Sequence, residues 1–304
     1  MVRSQVVLIG GGTGFVGRHL ATLLRGEGAK VRIVTRKPTS SHDQISWEII
    51  KNKGIPEDTT AIVNLAGRNI LGPGLWTENF RKEVYDSRIN TNRWLVDAIK
   101  KADSKPRAFI SASGVGYYEP SETEEYNEEW KPSKSSRDDF IMRLVQDWES
   151  AGELPADIAE KTRRVVIRAG VVIGKDGGIV QNLKLPFQLG LGGPIGDGKQ
   201  FFPWIHVEDL ARMFMFAISN DHVCGVINGT APEIVRNKDF ALCFSKALSR
   251  PSFLSLPGFA VNLMFGNERS SILLKGQKVK SRASLLGFRY SYATLAEAVN
   301  KSVL

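Results

Sequence analysis

Cysteine is scarce in this 304-residue chain: Cys224 and Cys243 are the only two, and neither belongs to a CxxC pair. A disulfide scaffold is therefore excluded. The pattern fits a thiol-reducing compartment, the cytoplasm first and the mitochondrial matrix as the alternative. Histidine is nearly as sparse. His19, His42, His206 and His222 lack HExxH or other ligand spacing, so no metal site is expected. No apolar run approaches the ~20 residues that cross a bilayer, so the expectation is a soluble chain without a membrane span. The first apolar strand begins within about five residues of Met1, which leaves no room for a signal peptide; earlier removal of a transit peptide stays open. Internal repeats and low-complexity tracts are absent.

Negative charge is also in deficit. Forty-one Lys and Arg against thirty-two Asp and Glu give a net charge of +9. The positive residues are spread, apart from a modest cluster at Lys275, Lys278, Lys280, Arg282 and Arg289. No aromatic-interleaved RNA module or Cys/His finger accompanies them, so a solvated face is expected and a nucleic-acid partner is not. An anionic-surface binder is the distant alternative, and its signature would be affinity that falls steeply with salt.

What the chain does have begins at Val6-Val7-Leu8-Ile9, a buried-strand pattern that runs straight into Gly10-Gly11-Gly12-Thr13-Gly14-Phe15-Val16-Gly17. Glycines here allow a sharp turn and bring bare backbone amides close to a ligand. A helix expected from about Phe15 would aim its unpaired N-terminal amides and dipole at a phosphate. Val16, Leu20, Leu23 and Leu24 recur at helical spacing, so one face can pack on a sheet. A Gly pattern between a strand and an amphipathic helix points to a pyrophosphate cradle.

Further strands are expected at 30–34, 61–65, 108–112, 165–168 and 225–228, with helices near 80–101, 138–151 and 238–249. This alternation predicts an α/β fold, a doubly wound parallel (Rossmann) sheet that collects ligands at the carboxyl ends of its strands. Composition changes after Gly174, and a glycine-rich loop at 190–198 leads into Phe201-Phe202-Pro203-Trp204. The expected division is an NADP-binding domain over 1–178, completed by about 205–230. Segments 179–204 and 231–304 would form a smaller C-terminal substrate lobe.

Cofactor preference is read at the end of the second strand. NAD enzymes carry Asp or Glu there for the adenine ribose. This chain has Thr35, followed by Arg36 and Lys37. A hydroxyl and a guanidinium hold a 2′-phosphate where a carboxylate would repel it, so the expected cofactor is NADP(H).

These features resemble the short-chain dehydrogenase/reductase superfamily in its extended, epimerase-like branch, over nearly the whole chain. The resemblance rests on Gly11-x-x-Gly14-x-x-Gly17, Asn64-Leu65-Ala66-Gly67, Ser113, Arg168 to Gly174 and Trp204 to Ala211. Phe202 to His206 and Leu274 to Val279 are similar to an atypical subgroup known as epimerase family proteins. The resemblance implies a cofactor site in which Gly11, Gly12, Thr13, Gly14, Phe15, Val16 and Gly17 cradle the pyrophosphate. Thr35 and Arg36 would take the 2′-phosphate, Leu65 and Ala66 would line the adenosine side, and Glu83 and Arg88 would contact the cofactor. Val172 would reach the nicotinamide end. Core packing for Leu65 and Val172, and an exposed helical pair for Glu83 and Arg88, are the plainer alternatives.

The superfamily's redox chemistry implies a Ser, a Tyr and a Lys, the last two spaced YxxxK. Ser113 matches the serine, but Ile141 and Val145 occupy the other two places, located through Trp148-Glu149. Neither carries a proton. Tyr117 or Tyr118 is the substitute donor to consider, with a pocket-wall role as the alternative; Tyr126 lies at the wrong spacing from Lys131. His206 is a further acid–base candidate or a structural hydrogen-bonder. The candidate catalytic residues are thus Ser113, Tyr117 and His206. Two functions follow. One is an NADP(H)-dependent oxidoreductase or epimerase acting on a small carbonyl or sugar-like substrate, favoured by the glycine-rich loop, the aromatic edge and Ser113. The other is an NADPH-binding structural or redox-sensing protein within an assembly, favoured by Ile141 and Val145. Oligomeric state is left open.

Overall fold

The computed structural model describes residues 4–41, 43–72, 74–252 and 254–303; His42 lies outside them. β1 (Val6–Gly10) leads through the glycine loop into α1 (Phe15–Gly26), followed by β2 (Lys30–Thr35). A short β3 (Gln44–Ser46), not anticipated from the sequence, then enters α2 (Trp47–Lys53). Three polar-edged residues carry too little periodicity to read as a strand. β4 (Ala61–Asn64) stops one residue earlier than expected, and α3 (Glu78–Lys101) follows, capped by the Thr77 hydroxyl. Next come β5 (Ala108–Gly114), a two-residue β6 (Glu125–Tyr126) and α4 (Phe140–Ser150), which starts where the Asp139 carboxylate accepts the Ile141 and Met142 amides.

α5 (Ala156–Ala159) precedes β7 (Arg163–Ala169), which runs almost directly into β8 (Val171–Gly174) and then α6 (Gly178–Gln188). β9 (Trp204–His206) passes into α7 (Val207–Ser219), and β10 (Gly225–Gly229) follows. The remainder holds α8 (Asn237–Ala247), α9 (Gly258–Phe265), α10 (Asn267–Leu274), β11 (Lys278–Val279) and α11 (Leu295–Val303).

Seven strands form one parallel sheet in the order β10-β7-β5-β4-β1-β2-β3. The order reverses direction at β1, whose neighbours are β4 and β2, so a crevice opens at the carboxyl ends there. Side-chain alternation loads both faces. Val7, Ile9, Val63, Ile110 and Ile167 pack with Leu20 and Leu24 of α1 and Leu210 and Phe214 of α7. Leu8, Ile62 and Phe109 point the other way, to Trp47 of α2 and Leu95 and Ile99 of α3. The expected doubly wound sheet is therefore the observed one.

A separate apolar cluster joins Ile173, Phe187, Trp204, Phe240, Phe244, Leu295 and Val299, around the parallel pair β8–β9. Phe202 and Trp204 are buried in it, and the Trp204 indole donates to the Glu233 carbonyl. Within the aromatic edge, Phe202 and Trp204 are thus core, while Phe201 and Pro203 are half-buried. Ala283 and Phe288 pack instead with the helices under the main sheet.

Asn64 ties these layers together at the end of β4. Its side chain accepts the Ala66 amide at 3.1 Å and donates to Asn92 at 2.6 Å; Asn92 in turn donates to the Trp148 carbonyl at 2.9 Å. Every group in this chain of bonds is buried. Replacing Asn64→Leu leaves a buried amide and a buried carboxamide oxygen without partners, and urea unfolding should register a loss of about 1–3 kcal/mol. An unchanged midpoint would mean that Asn64 carries no such load.

Candidate functional site

The glycine loop lies across the end of β4. Gly11 holds a φ of +73°, and a Cβ there would sit 2.8 Å from the Leu65 carbonyl and the Ala66 amide. Gly17 is closed to side chains as well, because an added Cβ would come within 2.4 Å of the Gly11 carbonyl oxygen. These contacts press the loop, α1 and the residues after β4 into one surface. α1 begins at the Gly14 cap without a capping side chain and without an acidic residue in its first turn. The amides of Gly12, Thr13, Phe15 and Val16 donate to no acceptor among the described residues. Free amides and an uncompensated helix dipole together make an anion cradle.

The residues expected around that cradle are found in several roles. The Phe15 ring is boxed in by Gly174, Gly177 and Gly178, so its side chain packs while its amide stays open. Val16 packs on the core beneath the loop. Thr35 ends β2 opposite Ser46, and Arg36 beyond it is exposed with no hydrogen bond or ion pair among the described residues. The Leu65 amide donates to the Gly10 carbonyl at 2.8 Å. Val172 lies in β8 opposite Ile205, and its carbonyl oxygen adjoins Gly178.

Glu83 and Arg88 do not pair with each other. Glu83 forms an ion pair with Arg68. Arg88 donates to the carbonyls of Arg68 and Val84, both at 2.9 Å, lies over the Trp148 ring and closely approaches Gly67. Burial pulls its pKa down to about 10. No carboxylate faces it among the described residues, which leaves a cation beside the loop after β4.

Ser113 is buried at the end of β5, opposite Arg168 in the register. Its hydroxyl donates to Glu149 Oε1 at 2.6 Å. Arg168 grips the same carboxylate with Nε at 2.7 Å and a terminal nitrogen at 2.8 Å, and donates to the Tyr118 hydroxyl at 3.0 Å. Tyr118 donates onward to Asn228 at 2.7 Å, and the Asn228 amide reaches Glu128 at 2.8 Å. Burial by itself would lower the Arg168 pKa, but the bond and charge of Glu149 outweigh it and keep the guanidinium protonated. Arg168 and Glu149 received no site role from the sequence, although a lone Arg closing the apolar run Val165-Val166-Ile167 signals a buried charge in need of a partner.

Tyr117 lies with its ring 3.3 Å beneath the Arg168 guanidinium carbon, in an aromatic cluster with Tyr118, Tyr126 and Trp130. Burial raises its pKa, against the pull of the Arg168 charge. Ile141 packs against Gly116 in the turn that follows Ser113, and Val145 lies nearby. Both side chains are therefore committed to apolar packing at that turn. Tyr126, set aside in the sequence for its spacing from Lys131, is buried in β6 and stacked on Tyr118.

His206 caps α7. Its Nδ1 accepts the Glu208 amide at 3.3 Å, and its ring rests on Tyr292 with centroids 4.0 Å apart. Burial lowers its pKa. Asp209, wholly buried, accepts the amides of Ser291 and Tyr292 at 2.8 Å each. The His-Val-Glu-Asp run therefore fastens the C-terminal segment to α7. Among the described residues, no cluster of His, Cys, Asp and Glu is arranged to hold a metal ion.

The model of the NAD dependent epimerase/dehydratase family matches residues 7–228, and a domain of unknown function, DUF1731, matches residues 256–301. The chain is 46% identical over 300 residues to the epimerase family protein SDR39U1 of Bos taurus, covering 98% of this chain and 99% of that one. A crystal structure of the human epimerase family protein SDR39U1 (isoform 2) with NADPH superposes with a TM-score of 0.93 at 46% identity, covering 98% of this chain and 99% of the other. A nucleoside-diphosphate sugar epimerase from Corynebacterium glutamicum superposes at 0.77 with 26% identity, over 99% of this chain and 59% of that one.

Two measurements test the electrostatics. Glu149→Leu strands a buried guanidinium and should cost about 3–5 kcal/mol in urea unfolding, much of it recovered by adding Arg168→Met. A loss in the double variant equal to that of the single one would overturn this account. For His206, the folded pKa lies below the ordinary 6.5, so the unfolded chain takes up the proton first as pH falls. The stabilisation is complete above about pH 6.5 and drains away through the lower folded value. The urea midpoint should drop between about pH 7 and 5, and His206→Asn, which retains a capping side chain, should flatten that drop.

Proposed function

The chain belongs to the NAD dependent epimerase/dehydratase family, and on that footing we propose that it is an NADP(H)-binding, epimerase-like or oxidoreductase-like protein. The observation that carries this reading is the row of free amides at Gly12, Thr13, Phe15 and Val16, with an unpaired Arg36 beyond the neighbouring strand. No carboxylate stands at Thr35 to repel a 2′-phosphate. The NADPH in the human SDR39U1 crystal structure supports the same preference. In this reading Gly11 to Gly17 hold the pyrophosphate, Thr35 and Arg36 the 2′-phosphate, and Leu65 and Ala66 border the adenosine. Arg88, lacking a carboxylate, supplies a further positive contact, with Glu83 beside it, and Val172 borders the nicotinamide end.

Bound nicotinamide supplies hydride transfer. The protein's own part is to orient a substrate oxygen and handle its proton. The Ser113 hydroxyl already donates to Glu149, so its lone pairs remain to accept from a substrate hydroxyl, and Arg168 fixes the carboxylate behind it. Tyr117 is the adjoining donor candidate. His206, committed to its helix cap, stands in a supporting role. The substrate class is a small carbonyl or sugar-like molecule.

A second reading has its own support. Ile141 and Val145 fill the proton-transfer positions with apolar packing, which favours a protein that binds NADPH without turnover, as a structural or redox-sensing part of an assembly. A screen of aldehydes, quinones and sugar nucleotides separates the two: hydride transfer that falls in Ser113→Ala rules out the binding-only role.

Fluorescence titration tests the cofactor assignment. NADPH should bind at least about tenfold more tightly than NADH, the worth of one charge-assisted contact, and Arg36→Glu should erase the difference. Equal affinities in the unaltered chain would refute the phosphate clamp.

A further inference from the structure

α9 is apolar at every position but Asn262, a composition expected of a buried helix. Only Val261 of it is fully buried. Phe259, Leu263 and Met264 project outward, 76%, 87% and 63% exposed. Leu254, just upstream, is exposed as well, and its carbonyl presses against Gly193. Gly193 follows Leu189 and Leu191, two more outward-facing leucines at the end of α6. Two chain segments, joined where Leu254 meets Gly193, thus each present outward apolar side chains, and we refer to them together as an apolar rim.

Segments 177–196 and 248–267 contain no Asp or Glu. Acids stand only at the margins of these two segments, at Asp176, Asp197 and Glu268, and Asp197 is paired with Lys199. Residues 236–280 carry eight Lys and Arg against two acids, Asp239 and Glu268, and Glu268 is paired with Arg81. The basic cluster seen in the sequence divides in two. Lys278 and Lys280 are occupied by Glu125, whereas Lys275 and Arg250 are exposed and form no ion pair among the described residues. A Cβ added at Gly258 would meet the Leu274 side chain at 3.5 Å, so the adjoining Lys275 flanks the beginning of α9.

We propose that this rim is a docking surface for an anionic lipid bilayer, with Phe259, Leu263 and Met264 entering the interface and Arg250 and Lys275 meeting the headgroups. A protein partner would be expected to exchange directional hydrogen bonds with the patch. α9 offers one polar side chain, Asn262, whose carboxamide oxygen already accepts from Ser270. An apolar face bordered by cations and poor in free polar groups suits a fluid hydrocarbon boundary. The attachment is peripheral, since no helix among the described residues is long and apolar enough to cross a membrane.

The test is sedimentation of the full chain with vesicles of phosphatidylcholine alone or with about 30% phosphatidylserine, at low and high salt. Phosphatidylserine should strengthen binding at least about tenfold, and ~0.5 M NaCl should reverse that gain. Leu263→Asp with Met264→Asp should abolish pelleting, and Arg250→Glu with Lys275→Glu should remove the phosphatidylserine dependence. Circular dichroism and the urea midpoint verify that both variants fold. Failure of the unaltered chain to pellet, or pelleting unaffected by the two aspartates, overturns the proposal. So does a dimer detected by light scattering that the aspartates dissociate while vesicles are ignored, because a second copy then covers the rim.

Discussion

The ion pair between Arg168 and Glu149 connects more of this molecule than any neighbouring contact. It joins β7 to α4, fixes the Ser113 hydroxyl of β5, and through Tyr118 and Asn228 extends to β10. Glu128 then accepts the Asn228 and Arg282 amides, bringing in the C-terminal segment. A guanidinium 2% exposed is tolerable only when its donors and charge are satisfied together. The bidentate grip on Glu149, the bond to Tyr118 and the Tyr117 face meet that requirement.

The same cluster shapes what chemistry is available. Where a tyrosine and a lysine would manage a proton, Ile141 and Val145 seal the turn at Gly116. Glu149 accepts the Ser113 hydroxyl, and the Tyr117 ring and the Tyr118 hydroxyl meet Arg168, so a carboxylate and two phenols gather around one buried cation. The glycine loop, by comparison, combines a positive-φ glycine with a helix start that carries no carboxylate, the features of an anion cradle.

A second organising contact fastens the C-terminal segment. Asp209 is buried with three donors around it, the amides of Ser291 and Tyr292 and the Arg212 guanidinium. Tyr292 covers His206 and donates to Glu208, a bond that together with burial raises the phenol to about 12. The stretch after Trp204 therefore acts as a clasp, a role that explains its dense polar composition without assigning it to catalysis.

Much of the architecture was legible in the chain itself. Val6 to Ile9, Ala61 to Asn64 and Ala108 to Ala112 are apolar runs bounded by turns, and their alternation with amphipathic stretches such as Val16 to Leu24 determines a parallel doubly wound sheet. The glycine loop was equally readable, because such a turn is local: its groups lie within one strand–turn–helix unit. β3 and β6 escaped notice because two or three residues carry no period. The roles of Glu149, Arg168, Asp209 and His206 were settled only by tertiary structure. Their partners lie on other elements, and which buried charge meets which donor depends on packing that one-dimensional spacing does not record.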